Sequence, residues 1–202
     1  MNKVIYENDF DLSKINSLEE LQNMSGDCAR CGLRGGCSGV VFGEGNPKAR
    51  LMFIGEGPGA DEDRLGRPFV GKAGQLLDKI LAAVNLERFK HVYIANIVKC
   101  RPPGNRAPRP DEAESCLPWL YRQIELISPR IIVLLGSTAL QNLVEPDARI
   151  TVMRGKWLVS KSGIKIMPTY HPAALLRDSS KKRPVWEDFQ KVRDEYLKIE
   201  EE

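Results

Sequence analysis

At 202 residues, 42% apolar and 28% charged, the chain has the composition of a globular protein and enough length to bury a sizeable core. No run of about eighteen apolar residues occurs, and the opening MNKVIYENDFDLSKI lacks the apolar stretch of a signal peptide, so no membrane association and a cytoplasmic location are expected. The net charge of +3 permits a nucleic-acid partner without demanding one.

Residues 1–27 read as a helical lead-in, with Leu12, Ile15, Leu18 and Leu21 near helical spacing. Residues 28–47 are rich in glycine and cysteine and read as loop. Arg50 to Ile54 is a short apolar run ending in Gly55, which predicts a buried strand. The loop GEGPGADEDRLGRPFVGKAG follows, and Ala73 to Leu86 has the period of an amphipathic helix. Val92 to Val98 predicts the next buried strand. CRPPGNRAPRP, residues 100–110, holds four prolines and is excluded from regular structure. Asp111 to about Ile127 predicts a helix broken by Ser128-Pro129, and Ile131 to Leu135 is the plainest strand in the chain. Ser137 is placed to cap a short helix through Leu143. Val152–Val159 and Ile164–Met167 flank Lys161-Ser162-Gly163 as the arms of a hairpin. The second arm leads into Thr169-Tyr170-His171-Pro172. The last helix, from about Pro184 to Glu200, carries mixed charge and reads as a solvated face.

Strands without polar alternation, separated by helices, indicate an α/β fold. The expectation is one three-layer domain over residues 1–202, with a mainly parallel four-stranded sheet between helices. In such sheets ligands sit beyond the carboxyl ends of the strands. The loops after Ile54, Val98, Leu135 and Met167 are therefore expected to converge.

Gly66 to Lys72 has the spacing of a phosphate loop, but four features reject that reading. Ala73 stands where a magnesium-binding hydroxyl is required, Gly66 lies far from the strand end, Pro68 offers no N–H, and Glu56, Asp61, Glu62 and Asp63 would repel a polyphosphate. Gly55-Glu56-Gly57-Pro58-Gly59 instead forms a tight turn whose amides can approach a ligand. Of the two histidines, His91 precedes a strand and reads as a surface or packing residue. His171 falls at the carboxyl edge of the sheet, where an imidazole can donate to developing negative charge. Leu175 and Leu176 are either the buried face of a short helix or wedges for a base stack. Taken alone, Phe69 reads as core and Asn96 as a loop cap. The five cysteines argue against a disulfide framework, and four thiolates suit zinc or a [4Fe–4S] cluster, which spacing does not separate.

GEGPGADED, GRPFVGKAG, the strand ending in Asn96, CRPPGNRAPRPDE, IIVLLG and HPAALLR occur in this order. The set resembles the family 4 uracil-DNA glycosylases, the iron–sulfur branch of their superfamily in bacteria and archaea, over residues 28 to about 190. The resemblance implies a DNA-repair enzyme that hydrolyses the N-glycosidic bond of uracil in DNA. It would leave an abasic site without a lyase step and turn over without covalent trapping. It implies that Phe69 stacks on a flipped uracil, that Asn96 reads its edge, and that Gly55, Glu56 and Gly57 line the pocket. His171 would stabilise the charged uracil oxygen, while Leu175, Leu176 and Arg177 fill the vacated stack and grip the strand. The water-activating carboxylate would be Glu56, with Glu62 as rival. Cys28, Cys31, Cys100 and Cys116 would hold one structural [4Fe–4S] cluster, leaving Cys37 without a role. The cluster would set Arg101, Arg106 and Arg109 against DNA phosphates. A monomer acting on uracil-containing DNA is expected. The competing readings are a non-catalytic DNA-binding or polymerase-accessory module with a vestigial pocket, and a phosphotransferase already weakened by Ala73.

Overall fold

The fold was taken from a computed structural model, which describes residues 11–201. After a short 3-10 turn at Leu12–Lys14, α1 (Leu18–Gly26) starts where Ser17 Oγ accepts the Glu20 N–H at 3.1 Å. The rest of the predicted lead-in, residues 1–10, lies outside the described residues. The cysteine-bearing segment makes a 3-10 turn at Gly32–Gly36 and a two-residue strand β1 (Glu44–Gly45). Then follow β2 (Leu51–Gly55), α2 (Ala60–Leu65), α3 (Lys72–Ala83), β3 (Val92–Asn96), α4 (Pro110–Ile127), β4 (Ile131–Leu135) and α5 (Ser137–Leu143). The chain ends with α6 (Ile150–Met153), β5 (Leu158–Val159), β6 (Lys165–Thr169), α7 (Pro172–Arg177) and α8 (Lys182–Glu200).

The sheet order is β1-β3-β2-β4-β6-β5. The central four strands, β3, β2, β4 and β6, run parallel, as expected. The sheet nevertheless has six strands, because β1 and β5 add antiparallel edges of two residues each. The hairpin turn at Lys161-Ser162-Gly163 is present, with Ser160 N–H donating to the Ile164 carbonyl at 2.9 Å. Its first arm is shorter than expected, since Ile150–Met153 coils into α6.

Successive strand residues point to opposite faces, so each apolar run feeds two cores. Met52, Ile54, Ala95, Ile132 and Leu134 pack on one face with Leu21 of α1, Trp119 and Leu120 of α4 and Leu140 of α5. Leu51, Phe53, Ile94, Val133 and Leu135 pack on the other with Leu77 and Leu81 of α3, Leu175 of α7 and Phe189 of α8. Helix α8 is thus more than a solvated face: Val185, Phe189, Val192, Tyr196 and Ile199 are buried against the sheet, as is Asp188, which is paired with Arg154 and Thr169, while the other charges of the helix are exposed or half-exposed. His91 is a packing residue: its Nδ1 accepts the Glu87 N–H at 2.8 Å and its ring lies edge-on to Tyr196.

Candidate active site

The carboxyl ends of the four parallel strands open on one cleft of about 670 Å³. Its walls include Glu56 after β2, Asn96 at the end of β3, Thr138 after β4, His171 after β6, and Phe69 from the loop between α2 and α3. The parallel pairing continues past the strands, since Ile97 N–H donates to the Gly55 carbonyl (3.0 Å) and Val98 N–H to the Glu56 carbonyl (3.1 Å). This brings the turn GEGPG alongside Asn96.

Asn96 is 2% exposed, and its Oδ1 has no hydrogen-bond partner. A buried acceptor left unpaired costs about 1–3 kcal/mol. Its backbone is held by the buried Lys99, whose Nζ donates to the Asn96 carbonyl at 3.0 Å and to Gln123 Oε1 at 2.5 Å. Gly55 lies behind the pocket instead of forming its wall. A Cβ there would come within 2.5 Å of the Phe69 ring and 2.6 Å of Asn96 Oδ1, so glycine is what lets these two side chains meet.

The Phe69 and His171 rings are 5.4 Å apart and tilted by 35°, forming adjoining walls. His171 caps α7, and its Nδ1 accepts the Ala173 N–H at 3.1 Å. That bond assigns the proton of the neutral ring to Nε2. Burial, with Arg177 nearby, holds the His171 pKa down at about 4, against a weaker upward pull from Glu62. The ring is therefore a neutral donor at pH 7.

The two candidate carboxylates occupy different environments. Glu56 Oε2 accepts the Thr138 hydroxyl. Glu62 uses both oxygens on backbone: Oε1 accepts Val70 N–H and Gly71 N–H, each at 2.8 Å, and Oε2 accepts Gly59 N–H at 3.1 Å. Glu62 fastens the α2–α3 loop to the GEGPG turn. Thr138 and Tyr170, also cleft residues, went unrecognised in the sequence. The rule that ligands gather at strand ends pointed to the loop after Leu135. There Ser137 had been read as a cap, whereas Gly136 occupies the N-cap position without a side-chain bond.

Leu175 and Leu176 separate. Leu175 is 3% exposed and belongs to the core, which corrects the expectation that it enters a base stack. Leu176 is 52% exposed, and Arg177 reaches the cleft beside it. Of the loop arginines, Arg106 reaches the cleft wall but is held by two 2.7 Å bonds to Glu112. Those bonds in turn keep the Glu112 pKa at about 2. Arg101 does not line the cleft but donates at 2.8 Å to Oδ1 of Asn105, which does, and Arg109 is exposed.

The model of the uracil DNA glycosylase superfamily matches residues 42–190. The chain belongs to this superfamily. It is 47% identical to a type-4 uracil-DNA glycosylase of Thermotoga maritima over 82% of this chain and 88% of that protein. It is 44% identical to a type-4 uracil-DNA glycosylase of Sulfurisphaera tokodaii, covering 89% and 85% of the two chains. A type-4 uracil-DNA glycosylase of Archaeoglobus fulgidus is 42% identical, covering 87% and 92%.

In this glycosylase-family chain, Cys28, Cys31, Cys100 and Cys116 line one small void together with Trp119 and Lys99. Among the described residues, no three His, Cys, Asp or Glu side chains are grouped as a single-ion site. Burial pushes the Cys116 pKa up to about 11 and raises those of Cys31 and Cys100. These thiols are protonated without a metal, and binding one would release protons. Cys37 touches Cys100 and donates to the Arg34 carbonyl at 3.6 Å, outside the lining of the void.

Proposed function

We propose that the chain excises uracil from DNA by hydrolysing the N-glycosidic bond and leaves an abasic site. The observation that carries this reading is the orphaned Oδ1 of Asn96, buried at the meeting point of Phe69, Gly55 and His171. A base can reach that depth only when rotated out of its stack. Phe69 then presents a flat apolar face to it, and Asn96 Oδ1 accepts the uracil N3–H. As the glycosidic bond lengthens, negative charge collects on the uracil carbonyl oxygens. A neutral His171 with its proton on Nε2 donates to one of them without the cost of moving a proton first. Glu56 polarises the attacking water and stabilises positive charge on the sugar. Leu176 fills the vacated stack, with Arg177 on the adjacent backbone. Arg101 and Arg109 are left to contact phosphates, because Arg106 is committed to Glu112.

Four thiols around one void, with no His, Asp or Glu in its lining, fit the donor set of a [4Fe–4S] cluster. Cys28, Cys31, Cys100 and Cys116 would hold it. The cluster would supply a structural cross-link between the N-terminal segment and the CRPPGNRAPRP loop. The chemistry at uracil stays with Glu56, Asn96 and His171.

The test is incubation with an oligonucleotide carrying one uracil, followed by alkali. Scission at the uracil, and none at thymine or cytosine controls, is the expected result. An intact strand after alkali refutes the activity, and scission before alkali refutes the absence of a lyase step.

A further inference from the structure

Phe69 is held in a backbone conformation that a phenylalanine does not choose. Its φ of 53° lies in the left-handed region, where a bulky side chain is strained and persists only if its surroundings impose it. Three residues impose it here. Glu62 takes the two N–H groups that follow it, from Val70 and Gly71. Gly74 leaves the space, since a Cβ there would sit 1.9 Å from the Phe69 carbonyl oxygen. Arg88, from the far end of the α3–β3 connection, takes the carbonyls: its NH2 group donates to Pro68 O at 2.5 Å and its NH1 group to Phe69 O at 2.9 Å. Only 9% of the Arg88 side chain is exposed. It is anchored from behind by Asp78, 3.1 Å from its NH1 group, and by Glu44, 2.9 Å from Nε as an ion pair without hydrogen-bond alignment.

We propose that Arg88 is a positioning residue of the uracil pocket: its guanidinium grips the Pro68 and Phe69 carbonyls and so fixes the angle at which the Phe69 ring meets the base. This rests on Phe69 being the stacking surface. Arg88 does not line the cleft. It acts through the backbone on a ring whose tilt decides whether a flat pyrimidine can lie on it while Asn96 reads its edge. A planar fork suits two adjacent carbonyls, and a lysine ammonium cannot replace it.

The test is a double-mutant cycle on the full-length protein, with Arg88→Met and Phe69→Ala singly and together. Inhibition by free uracil and single-turnover excision are read alongside thermal unfolding. Arg88→Met is expected to weaken uracil inhibition about tenfold, and this loss disappears in the Phe69→Ala background. Arg88→Lys keeps a charge near Glu44 and Asp78, so it serves if Arg88→Met does not fold; it is expected to show most of the same loss. Uracil inhibition unchanged in both Arg88 variants overturns the proposal. So do losses that multiply in the double variant, which mark a merely structural residue. If Phe69→Ala alone leaves uracil inhibition intact, the pocket reading fails and the role of Arg88 fails with it.

Discussion

The neutrality of His171 at pH 7 has measurable consequences in acid. Burial moves its pKa from 6.5 to about 4, with Arg177 adding to the effect. The unfolded chain binds a proton as pH falls through the ordinary histidine value, whereas the folded chain refuses it until about pH 4. Protons therefore favour unfolding: stability is intact above the unfolded pKa, declines between the two values and levels off below the lower one. Two and a half pH units at about 1.4 kcal/mol each give roughly 3–4 kcal/mol in full, of which a little over ~1 kcal/mol is lost by pH 5.5. His171→Gln retains a side-chain donor but cannot titrate, so other groups cancel in the comparison. Urea unfolding of both proteins at pH 8, 7, 6 and 5.5 should show wild type losing about 1 kcal/mol relative to the variant across that range. Single-turnover excision should lack an acid limb near the ordinary histidine pKa, because the donor is already neutral there. An imidazole resonance of His171 titrating near pH 6.5, or a stability gap that is constant from pH 8 to 5.5, would refute the reasoning.

Glu56→Gln is expected to slow single-turnover excision at least about tenfold without moving the melting temperature. Glu62→Gln should lower the melting temperature: whichever way the new amide turns, one N–H faces a backbone N–H, at a cost of about 1–3 kcal/mol. Slowed excision with unchanged melting in Glu62→Gln would exchange the two roles. Leu175→Ala should cost about 2–5 kcal/mol of stability. Leu176→Ala should stay within about 0.5 kcal/mol, yet slow excision from duplex more than from single-stranded substrate; equal effects on both substrates would remove Leu176 from the stack. Protein purified without air should be brown and carry about four irons per chain, lost in Cys116→Ser. One zinc in a colourless sample would overturn the cluster.

Three of the four central strands, β2, β3 and β4, were legible because they are buried on both faces and so read as apolar runs, whereas β6, half-buried at its start, was legible as the second arm of a hairpin. Of the edge strands, Glu44–Gly45 was not legible, since it is too short for a period to develop and owes its pairing to β3, while Leu158–Val159 was read as the end of a longer hairpin arm. In α8 the charges between Val185 and Ile199 masked an apolar stripe that is visible when residues are counted in threes and fours. Strand-end logic singled out His171, which follows a strand; Asn96, which taken alone read as a loop cap, was singled out only by the family resemblance. Strand-end logic missed Thr138, whose importance comes from a contact with Glu56 across 82 positions of chain, which no local pattern encodes. Leu175 and Leu176 are adjacent and alike; only the rotation of a six-residue helix against α3 decides which one is buried.

The acids after β2, which argued against a phosphate loop in the sequence, differ in the partners they hold. Asp63 accepts from the Ser38 N–H and hydroxyl, both at 2.9 Å, and so holds the cysteine-bearing segment. Asp61 pairs with Arg64 at 3.3 Å. Glu62 takes three backbone N–H groups, and the loop that carries Phe69 depends on it. Glu56 alone stands directly beyond the strand end and lines the cleft with no backbone donor on its carboxylate, only the hydroxyl of Thr138 on one oxygen. A carboxylate that organises a loop through both oxygens cannot turn one toward a water without releasing the loop. Glu56 can, because its second oxygen is uncommitted and its first is steadied by a single neutral donor. These partners support the proposal of Glu56 over Glu62 as the water-activating group, with the Thr138 hydroxyl steadying its carboxylate.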